Sequence, residues 1–449
     1  MKKIISLLLT AVLLTAMLTV FVLPASAEGE EVSMPENATW FEDNDDPVWW
    51  ELTDNGTVLP DGKTGRTLTV GGKGEMPDYV ATTPTLDKRP WKDYIKTITA
   101  VAIESGVTNI GNCVFYGCES LQSVTIPSSV TNIGNHAFNG CTNLTSVTIP
   151  SSVTNIGAYA FQNCKSLQSV AIPYGVTRIE GSAFNGCKSL QSVTIPSSVK
   201  NIVATAFYGC ASLQSVIIPY GVASIGNYAF GGCTSLQSVT IPSSVTSIDG
   251  SAFNGCGKLA SVTVKTSTPP TLGKAVFNGI LGNLAIYVPC GAGTAYQEAT
   301  NWSDKSGQIK EAYIVDDQPV GKGAVTVDKD CFPTETYTTA NEIVTVTVMP
   351  AEGYQLQADS LTVSYKDGEE EKTVELTQDE TDPTKYSFEM PKANVTVKAA
   401  FEAISDGTGS ILSGGNLWII LAGAVVLVGA VAAAVVVVKK KKKPVASEE

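Results

Sequence analysis

The stretch CKSLQSVTIPSSVKNIVATAFYG, residues 187–209, is one unit of a repeat that fills the middle of this 449-residue chain. The neighbouring units keep the same pattern at a step of 23 residues. A fixed period of this length is typical of solenoids, in which short units stack and each contacts only its neighbours. The period is marked by one phenylalanine per unit: Phe115, Phe138, Phe161, Phe184, Phe207, Phe230, Phe253 and, after a step of 24, Phe277.

Each unit has a pattern that predicts a coil with three sides. Leu-x-x-Val-x-Ile before a proline predicts a short strand, which ends at the proline because proline cannot donate to a ladder. Val-x-x-Ile predicts a second side, and Ala-Phe with the following Gly-Cys predicts a third side and a tight return. Stacked coils would pair their strands in parallel, ~4.8 Å apart, and align the phenylalanines, leucines and isoleucines in inner columns. About nine such strands fit between Thr99–Ile103 and Ala285–Val288.

The repeat resembles the leucine-rich repeats of BspA-type bacterial surface proteins, since the Cys, Leu, Ile-Pro, Ile-Gly and Ala-Phe positions are all in place. The flanks are similar too: residues 68–76 with Pro90-Trp91 resemble the N-terminal cap of that family, and Val288-Pro289, Tyr296 and Trp302 resemble its C-terminal segment. The resemblance implies a leucine-rich-repeat solenoid with its C-terminal cap over residues 95–315. A sharp drop in acidic residues near residue 95 marks its boundary with an acidic, β-rich N-terminal cap over residues 28–94. It also implies a cell-surface adhesin or binding protein.

Residues 316–402 predict a second, small all-β domain of the sandwich or β-grasp type. About six segments alternate apolar and polar residues, and Lys366-Asp367-Gly368 is a turn signal between two of them. Gly353-Tyr354, Met390-Pro391 and the strand at 395–397 resemble bacterial surface β-repeats, including the internalin B-type repeat. That resemblance implies a stalk or an auxiliary binding module. Residues 403–416, with four glycines, predict a flexible linker.

Both ends of the chain carry long apolar runs. Lys2-Lys3, the run Ile4–Leu23 and Ala25-Ser26-Ala27 predict a signal peptide over residues 1–27, with an uncleaved anchor as the alternative. Residues 417–438 are uncharged and predict one transmembrane helix, because 22 residues span ~33 Å. Lys439–Lys443 then predict a cytoplasmic tail over residues 439–449. We therefore expect a single-pass, membrane-anchored protein of the bacterial cell surface, with its ectodomain outside and its C-terminus in the cytoplasm.

Charge and composition argue against several classes of function. The net charge is −13, and an acidic chain repels phosphate backbones, so nucleic acid is not expected as a partner. His136 is the only histidine, which argues against Ser-His-Asp, Cys-His and multi-histidine metal schemes. The sequence therefore predicts no enzyme, no cofactor and no metal.

Two groups of cysteines are candidate chemical sites. The seven repeated cysteines, Cys118 to Cys256, lack the pair spacing of zinc sites and are expected to be buried free thiols, with disulfides and metal as alternatives. Cys113 and His136 occupy equivalent positions in adjacent coils, and a thiol beside an imidazole is the raw material of a nucleophile. The varied residues at this position in other coils instead indicate an exposed surface, and the thiol of Cys113 is expected to react.

Two shorter motifs resemble ligand-binding sequences but are interpreted as ordinary loops. Residues 42–46 offer carboxylates to calcium but lack the EF-hand spacing, which favours a solvated loop. Gly71-Gly72-Lys73-Gly74 lacks the Lys-Ser/Thr of a phosphate-binding loop and is interpreted as a turn.

The outward strand positions give a flat, uncharged and repetitive face that would suit an extracellular protein or glycan ligand, although a merely solubilising surface has the same composition. Two exposed tyrosines after strand-ending prolines are candidate anchors of an interface. A non-catalytic binding or adhesion protein is the favoured function; a passive stalk or envelope spacer is the alternative, and an enzyme is the third. The candidate ligand-contact residues are Thr125, Thr148, Tyr174, Thr194, Tyr220 and Thr240.

Overall fold

The described part of the chain is mostly β, with few helices, as the alternating patterns predict, and all described elements belong to one unit, residues 37–449. The predicted signal peptide and most of the predicted transmembrane segment lie outside the described residues. The computed structural model describes residues 34–41, 47–80, 87–328, 331–333, 342–351, 353–404, 418–421 and 424–427.

The N-terminal segment forms a cap on the first coil. Three strands pair antiparallel, and the third of them pairs in parallel with the first strand of the solenoid. Trp91 is fully buried and stacks on Phe115, with 6.2 Å between ring centroids. The indole thereby covers the first phenylalanine of the column and shields it from water. The elements of the cap are β1 (Thr39–Trp40), β2 (Val48–Val58), β3 (Thr64–Gly72), β4 (Gly74–Glu75) and a 3-10 helix, Lys92–Tyr94.

Two parallel ladders follow two sides of the coils, as the repeat predicts. Partners are one repeat apart, as in Val239–Val262 on the first side and Ile202–Ile225 on the second. Backbone bonds such as Phe161 N–H to the Ala183 carbonyl, 2.8 Å, join the third sides. The solenoid strands are β5 (Ile98–Ile103), β6 (Val107–Ile110), β7 (Ser123–Thr125), β8 (Asn132–Ile133), β9 (Asn155–Ile156), β10 (Ser169–Ala171), β11 (Arg178–Ile179), β12 (Ser192–Thr194), β13 (Asn201–Ile202), β14 (Ser215–Ile217), β15 (Ser224–Ile225), β16 (Ser238–Ile241), β17 (Ser247–Ile248), β18 (Ser261–Val264), β19 (Thr271–Leu272) and β20 (Ala285–Pro289).

The core of the solenoid consists of the predicted inner columns. The phenylalanine rings are buried and lie nearly parallel, with 5.5 Å between the centroids of Phe161 and Phe184. The repeated cysteines are buried free thiols, as predicted. Each thiol from Cys141 onwards donates to the carbonyl of the phenylalanine in the preceding coil, for example Cys187 Sγ to Phe161, 3.2 Å. Each coil is thus hydrogen-bonded to its neighbour in the interior as well as along the ladders.

The solenoid ends in a second cap, which leads directly into the C-terminal β domain. The cap contains α1 (Gly293–Glu298) and a 3-10 helix, Ser303–Gln308. Trp302 is fully buried, 6.3 Å from Phe277 between ring centroids. The following strand, β21 (Ile309–Val320), pairs in parallel with β20 through its first half and with a strand of the C-terminal domain through its second half.

The C-terminal domain is a sandwich of two sheets, with a strand in each of the six predicted segments. Its core lies between the two sheets and includes Val346 and Phe388 from one and Val363 and Val397 from the other. Its remaining strands are β22 (Gly323–Val327), β23 (Cys331–Pro333), β24 (Ile343–Pro350), β25 (Tyr354–Leu356), β26 (Thr362–Asp367), β27 (Glu370–Val374), β28 (Thr377–Gln378), β29 (Lys385–Glu389) and β30 (Val395–Ala403).

The predicted transmembrane helix is not confirmed. Two pieces of that segment are described, and they form an antiparallel pair of strands, β31 (Trp418–Leu421) and β32 (Ala424–Leu427). Within the described residues, the structure contains no helix that is both long and apolar enough to cross a membrane.

Candidate binding surfaces

The strand face of the solenoid is exposed at its N-terminal end and covered at its C-terminal end. Thr125, Thr148 and Thr194 point outward and are exposed, as the alternation predicts. Thr240 is half-buried, and its equivalent in the next coil, Thr263, is buried. The C-terminal domain folds back over these last coils, which the period of the repeat gives no means to predict.

The position after the strand-ending proline contacts the C-terminal domain in two successive coils. The Tyr174 hydroxyl donates to the Gly321 carbonyl at 2.6 Å, and the equivalent Ser197 donates to the Gly323 carbonyl at 2.7 Å. Lys322 Nζ lies 5.6 Å from the centroid of the Tyr174 ring. Tyr174 is thus held by an intramolecular contact, while Tyr220 at the same position is half-buried.

A buried ion pair lies at the same junction. Lys265 forms a salt bridge with Asp317 and is almost fully buried. Burial raises the pKa of Asp317, and the ammonium of Lys265 opposes that rise. Asp316 Oδ2 accepts from the Ser243 hydroxyl at 2.5 Å, whereas Asp316 Oδ1 is buried and finds no donor among the described residues. A cavity of about 200 Å³ next to the pair is bounded by Ile217 of the strand face and Val327 of the domain. These contacts fasten the domain to the solenoid.

The second ladder presents asparagines whose amides bond to one another. The Asn155 amide donates to Asn132 Oδ1 at 2.6 Å, and Asn132 donates in turn to Asn109. Asn109 donates to Glu75 of the cap at 3.3 Å. Because these donors are already engaged along the ladder, this side has less capacity to bind a polar ligand.

The third side carries a column of residues in the left-handed region of backbone conformation. Their backbone N–H groups donate to carbonyls of the next coil, for example Tyr159 to the Gly181 carbonyl at 3.0 Å. These hydrogen bonds stabilise a backbone conformation that residues other than glycine rarely adopt. The residues, with φ between 54° and 60°, are Cys113, His136, Tyr159, Ser182, Thr205, Tyr228, Ser251 and Ala275.

The structure corrects the expectation that Cys113 is exposed. The side chain is buried, with 8% of its surface accessible, as are Ser182 and Ser251 of the same column. His136 is partly exposed; its ring stacks on Tyr159 with 4.6 Å between centroids, and Nδ1 lies 3.0 Å from Asn139 Nδ2. Burial lowers the pKa of His136, so the imidazole is neutral at pH 7. These contacts fix the imidazole as part of a surface of rings and amides.

Aromatic residues in this column and in the column next to it form a surface that we name the aromatic strip. Tyr159 and Tyr228 are 38% and 39% exposed, and Tyr208 is 42% exposed. Tyr208 meets Tyr228 edge to face at 6.0 Å, and Tyr116 meets His136 in the same way at 6.4 Å. The sequence indicates that one of these columns varies between coils, but the variation alone does not predict a ligand surface. Tyrosines at a variable, outward position are the feature of the sequence that points to this surface. The strip consists of Tyr116, His136, Tyr159, Tyr208 and Tyr228.

The remaining motifs do not form sites within the described residues. No group of three or more His, Cys, Asp or Glu side chains in that part of the chain could hold a metal ion. The acidic segment 42–46 lies outside it. The glycines at 71–74 form the bend between β3 and β4, where a Cβ on Gly72 would lie 2.1 Å from the Pro47 carbonyl oxygen. They are therefore needed for close packing, in agreement with their interpretation as a turn.

The coils and surfaces define a leucine-rich-repeat solenoid followed by a β-sandwich. The family model described as the BspA type leucine rich repeat region matches residues 93–214 and 200–291, and the model of the divergent InlB B-repeat domain matches residues 313–405. The chain therefore contains a leucine-rich repeat region of the BspA type and a C-terminal domain of the InlB B-repeat type. Both resemblances seen in the sequence are confirmed.

Solved structures of similar proteins come from several bacteria. A leucine-rich repeat protein from Bacteroides ovatus is 26% identical, with 53% of this chain and 70% of that chain covered and a TM-score of 0.39. A leucine-rich cell surface protein from Faecalibacterium prausnitzii is 25% identical, with 64% and 90% covered and a TM-score of 0.36. The pneumococcal vaccine antigen PcpA is 12% identical, with 61% and 96% covered and a TM-score of 0.31. No curated protein matches the sequence.

Proposed function

We propose that the protein is a non-catalytic binding or adhesion protein of the bacterial cell surface, which presents its leucine-rich-repeat surface to macromolecules of a host or a neighbouring cell. The observation that carries the proposal is the contrast between columns. The inner columns repeat the same residue in coil after coil, whereas the left-handed column on the third side varies and includes partly exposed aromatic residues. Variation at outward positions on a uniform framework is what a recognition surface requires.

The expected mode of binding is many weak contacts along the solenoid. Each coil adds one set of outward side chains, and many copies on one cell would raise the avidity without any new contact. Catalysis is not part of this proposal, since the repeated cysteines are buried and His136 contacts aromatic rings and an amide.

The proposed location follows from the family and from the predicted ends of the chain. The predicted signal peptide, the apolar segment 417–438 and the lysines at 439–443 together support a single-pass protein with its ectodomain outside and its C-terminus in the cytoplasm. The name of the Faecalibacterium relative, a cell surface protein, supports the same location.

A binding screen tests the function. The purified full chain, kept soluble in detergent, is applied to immobilised matrix proteins and glycans, beside a variant in which Tyr159, Tyr208 and Tyr228 are replaced by residues found at equivalent positions: Tyr159→Ser, Tyr208→Asn and Tyr228→Ser. We expect the native chain to bind a member of the panel and the variant to bind it at least tenfold more weakly. Absence of binding to every member would contradict a binding role and favour the passive spacer.

A further inference from the structure

The left-handed column of the aromatic strip is interrupted in the middle of the solenoid, although Tyr208 of the adjacent column lies in the coil of Thr205. The left-handed column reads His136, Tyr159, Ser182, Thr205, Tyr228 along five successive coils. The hydroxyls of Ser182 and Thr205 share one hydrogen bond of 2.7 Å. These two coils therefore have no large side chain at this position of the column. Tyr159 and Tyr228 therefore stand at the two ends of a gap that is two coils wide.

The width of the gap sets the kind of ligand that reaches both tyrosines. Neighbouring coils are ~4.8 Å apart, so three steps place the two aromatic residues ~14 Å apart along the solenoid. A single small molecule cannot contact both of them. An extended chain of ring-shaped units can, if it lies along the direction in which the coils stack.

The groups next to the gap are polar but uncharged. Gln162 and Asn185 are half-buried in the adjacent column, and an amide both donates and accepts hydrogen bonds, as a sugar hydroxyl does. Arg178 and Glu180, in the coil of Ser182, neutralise each other in a salt bridge of 2.8 Å. The other charged residues of these coils are three exposed lysines: Lys165 and Lys188 on the turn after the cysteine, and Lys200 directly before β13.

We propose that the aromatic strip binds a neutral polysaccharide, with sugar rings stacked on Tyr159 and Tyr228 and hydroxyls bonded to the amides between them. The C–H face of a sugar ring is slightly positive and packs on the negative face of an aromatic ring. A row of partly exposed rings suits sugar rings better than it suits an apolar peptide side chain, which needs a pocket to be desolvated. This inference rests on the proposed binding function and names the class of ligand.

The test uses the purified full chain in detergent and soluble polysaccharides of defined charge. The neutral probes are β-1,3-glucan, mannan and arabinoxylan; alginate is the acidic probe, and fibronectin and collagen are the protein probes. Two variants remove the anchors, Tyr159→Ser and Tyr228→Ser, and a third fills the gap, Ser182→Tyr. All three side chains already occur in this column at φ between 54° and 60°, so the coils are expected to fold, and thermal unfolding verifies this. Ile217→Thr on the strand face is the matched control, since threonine is the usual residue there.

We expect at least one neutral polysaccharide to bind, each tyrosine variant to weaken it about tenfold, and the gap-filling variant to weaken it as well, while the control leaves it unchanged. Binding to alginate alone, or to a protein probe alone, would overturn the inference and leave the proposed binding function standing. Binding of a neutral polysaccharide that is unchanged in all three variants would overturn the inference too. If the native chain binds none of the probes, the binding function itself fails.

Discussion

The solenoid and the C-terminal sandwich each bury a hydrophobic core, but they assemble it differently. In the solenoid, a core residue packs on its own equivalent in the neighbouring coil, as the phenylalanine column shows. In the sandwich, residues far apart in the chain meet, such as Val315 and Val395 on paired strands. A solenoid can therefore vary its outer residues coil by coil without disturbing the interior, whereas the sandwich depends on pairings that extend across the whole domain.

The largest expected effect is in the middle of the solenoid core. Phe184→Ala removes ring contacts to both neighbouring coils and should lower the free energy of unfolding by about 3–5 kcal/mol. Thr194→Ala, at an exposed position of the next strand, should cost within about 0.5 kcal/mol. Thermal unfolding of the two variants measures the difference. Equal melting temperatures would show that the column does not carry the stability of the solenoid.

The next effect concerns the junction between the two regions. Lys265→Met removes the cation that faces Asp317 and should lower the free energy of unfolding by about 2 kcal/mol, since one charge of a buried pair is left behind. The pKa of Asp317, already raised by burial, should then rise further. Its protonation relieves the defect, so the loss should shrink as the pH falls from 7 towards about 4.

The control for the junction is Lys258→Met, which removes an exposed lysine from the preceding turn. Denaturant unfolding at pH 7 and at pH 4 gives both comparisons. A penalty for Lys265→Met that is the same at the two pH values would argue against an uncompensated carboxylate.

A smaller effect is expected on the third side. Because burial lowers the pKa of His136, the unfolded chain takes up this proton near pH 6.5 and the folded chain only at lower pH. Stability should therefore fall slightly as the pH drops from about 7 to 5. His136→Tyr introduces the residue that Tyr159 provides at the equivalent position of the next coil. The stability of this variant should lack the contribution from histidine protonation. The melting temperatures of both proteins across this range provide the measurement, and parallel curves would contradict the assignment.

The smallest expected effect is the reactivity of the repeated cysteines. Burial raises the pKa of Cys118, Cys187 and Cys256 to about 12, so almost no thiolate is present at pH 8. An alkylating reagent should leave the column unmodified in the folded protein, and Cys113 as well because it is buried. Cys290 is more accessible and should react. Peptide mass spectrometry with and without denaturant decides this, and rapid labelling of Cys187 in the folded state would refute it.

Much of the solenoid could be predicted because its interior obeys a single period. The inward positions of Phe184, Cys187 and Leu190 follow from one unit, and stacking repeats them. The burial of Cys113 could not be inferred in the same way, since residues of its left-handed column vary from buried Ser182 to exposed Ala275 and follow no single period.

The candidate surface was harder to predict for a related reason. Tyr174 was expected to anchor an external ligand, yet its hydroxyl bonds to Gly321, 147 positions further along the chain. Neither the repeat nor local alternation contains information about where a second domain will fold back. The aromatic strip, by contrast, could have been read from the sequence once variable positions were compared between coils.

The strand β21 gives the molecule a mechanical property. Its first half pairs with β20 of the solenoid and its second half pairs with β30, the strand that leads towards the C-terminus. Since β21 and β30 are parallel, a pull on the C-terminal side against a solenoid that is held in place loads their hydrogen bonds in shear, all at the same time, instead of peeling them one by one. A protein tethered at that end and gripped by its coils would resist detachment through this ladder as well as through the contacts between the domain and the solenoid, and stretching one molecule between its two ends should reveal the ladder as the step that yields at the highest force.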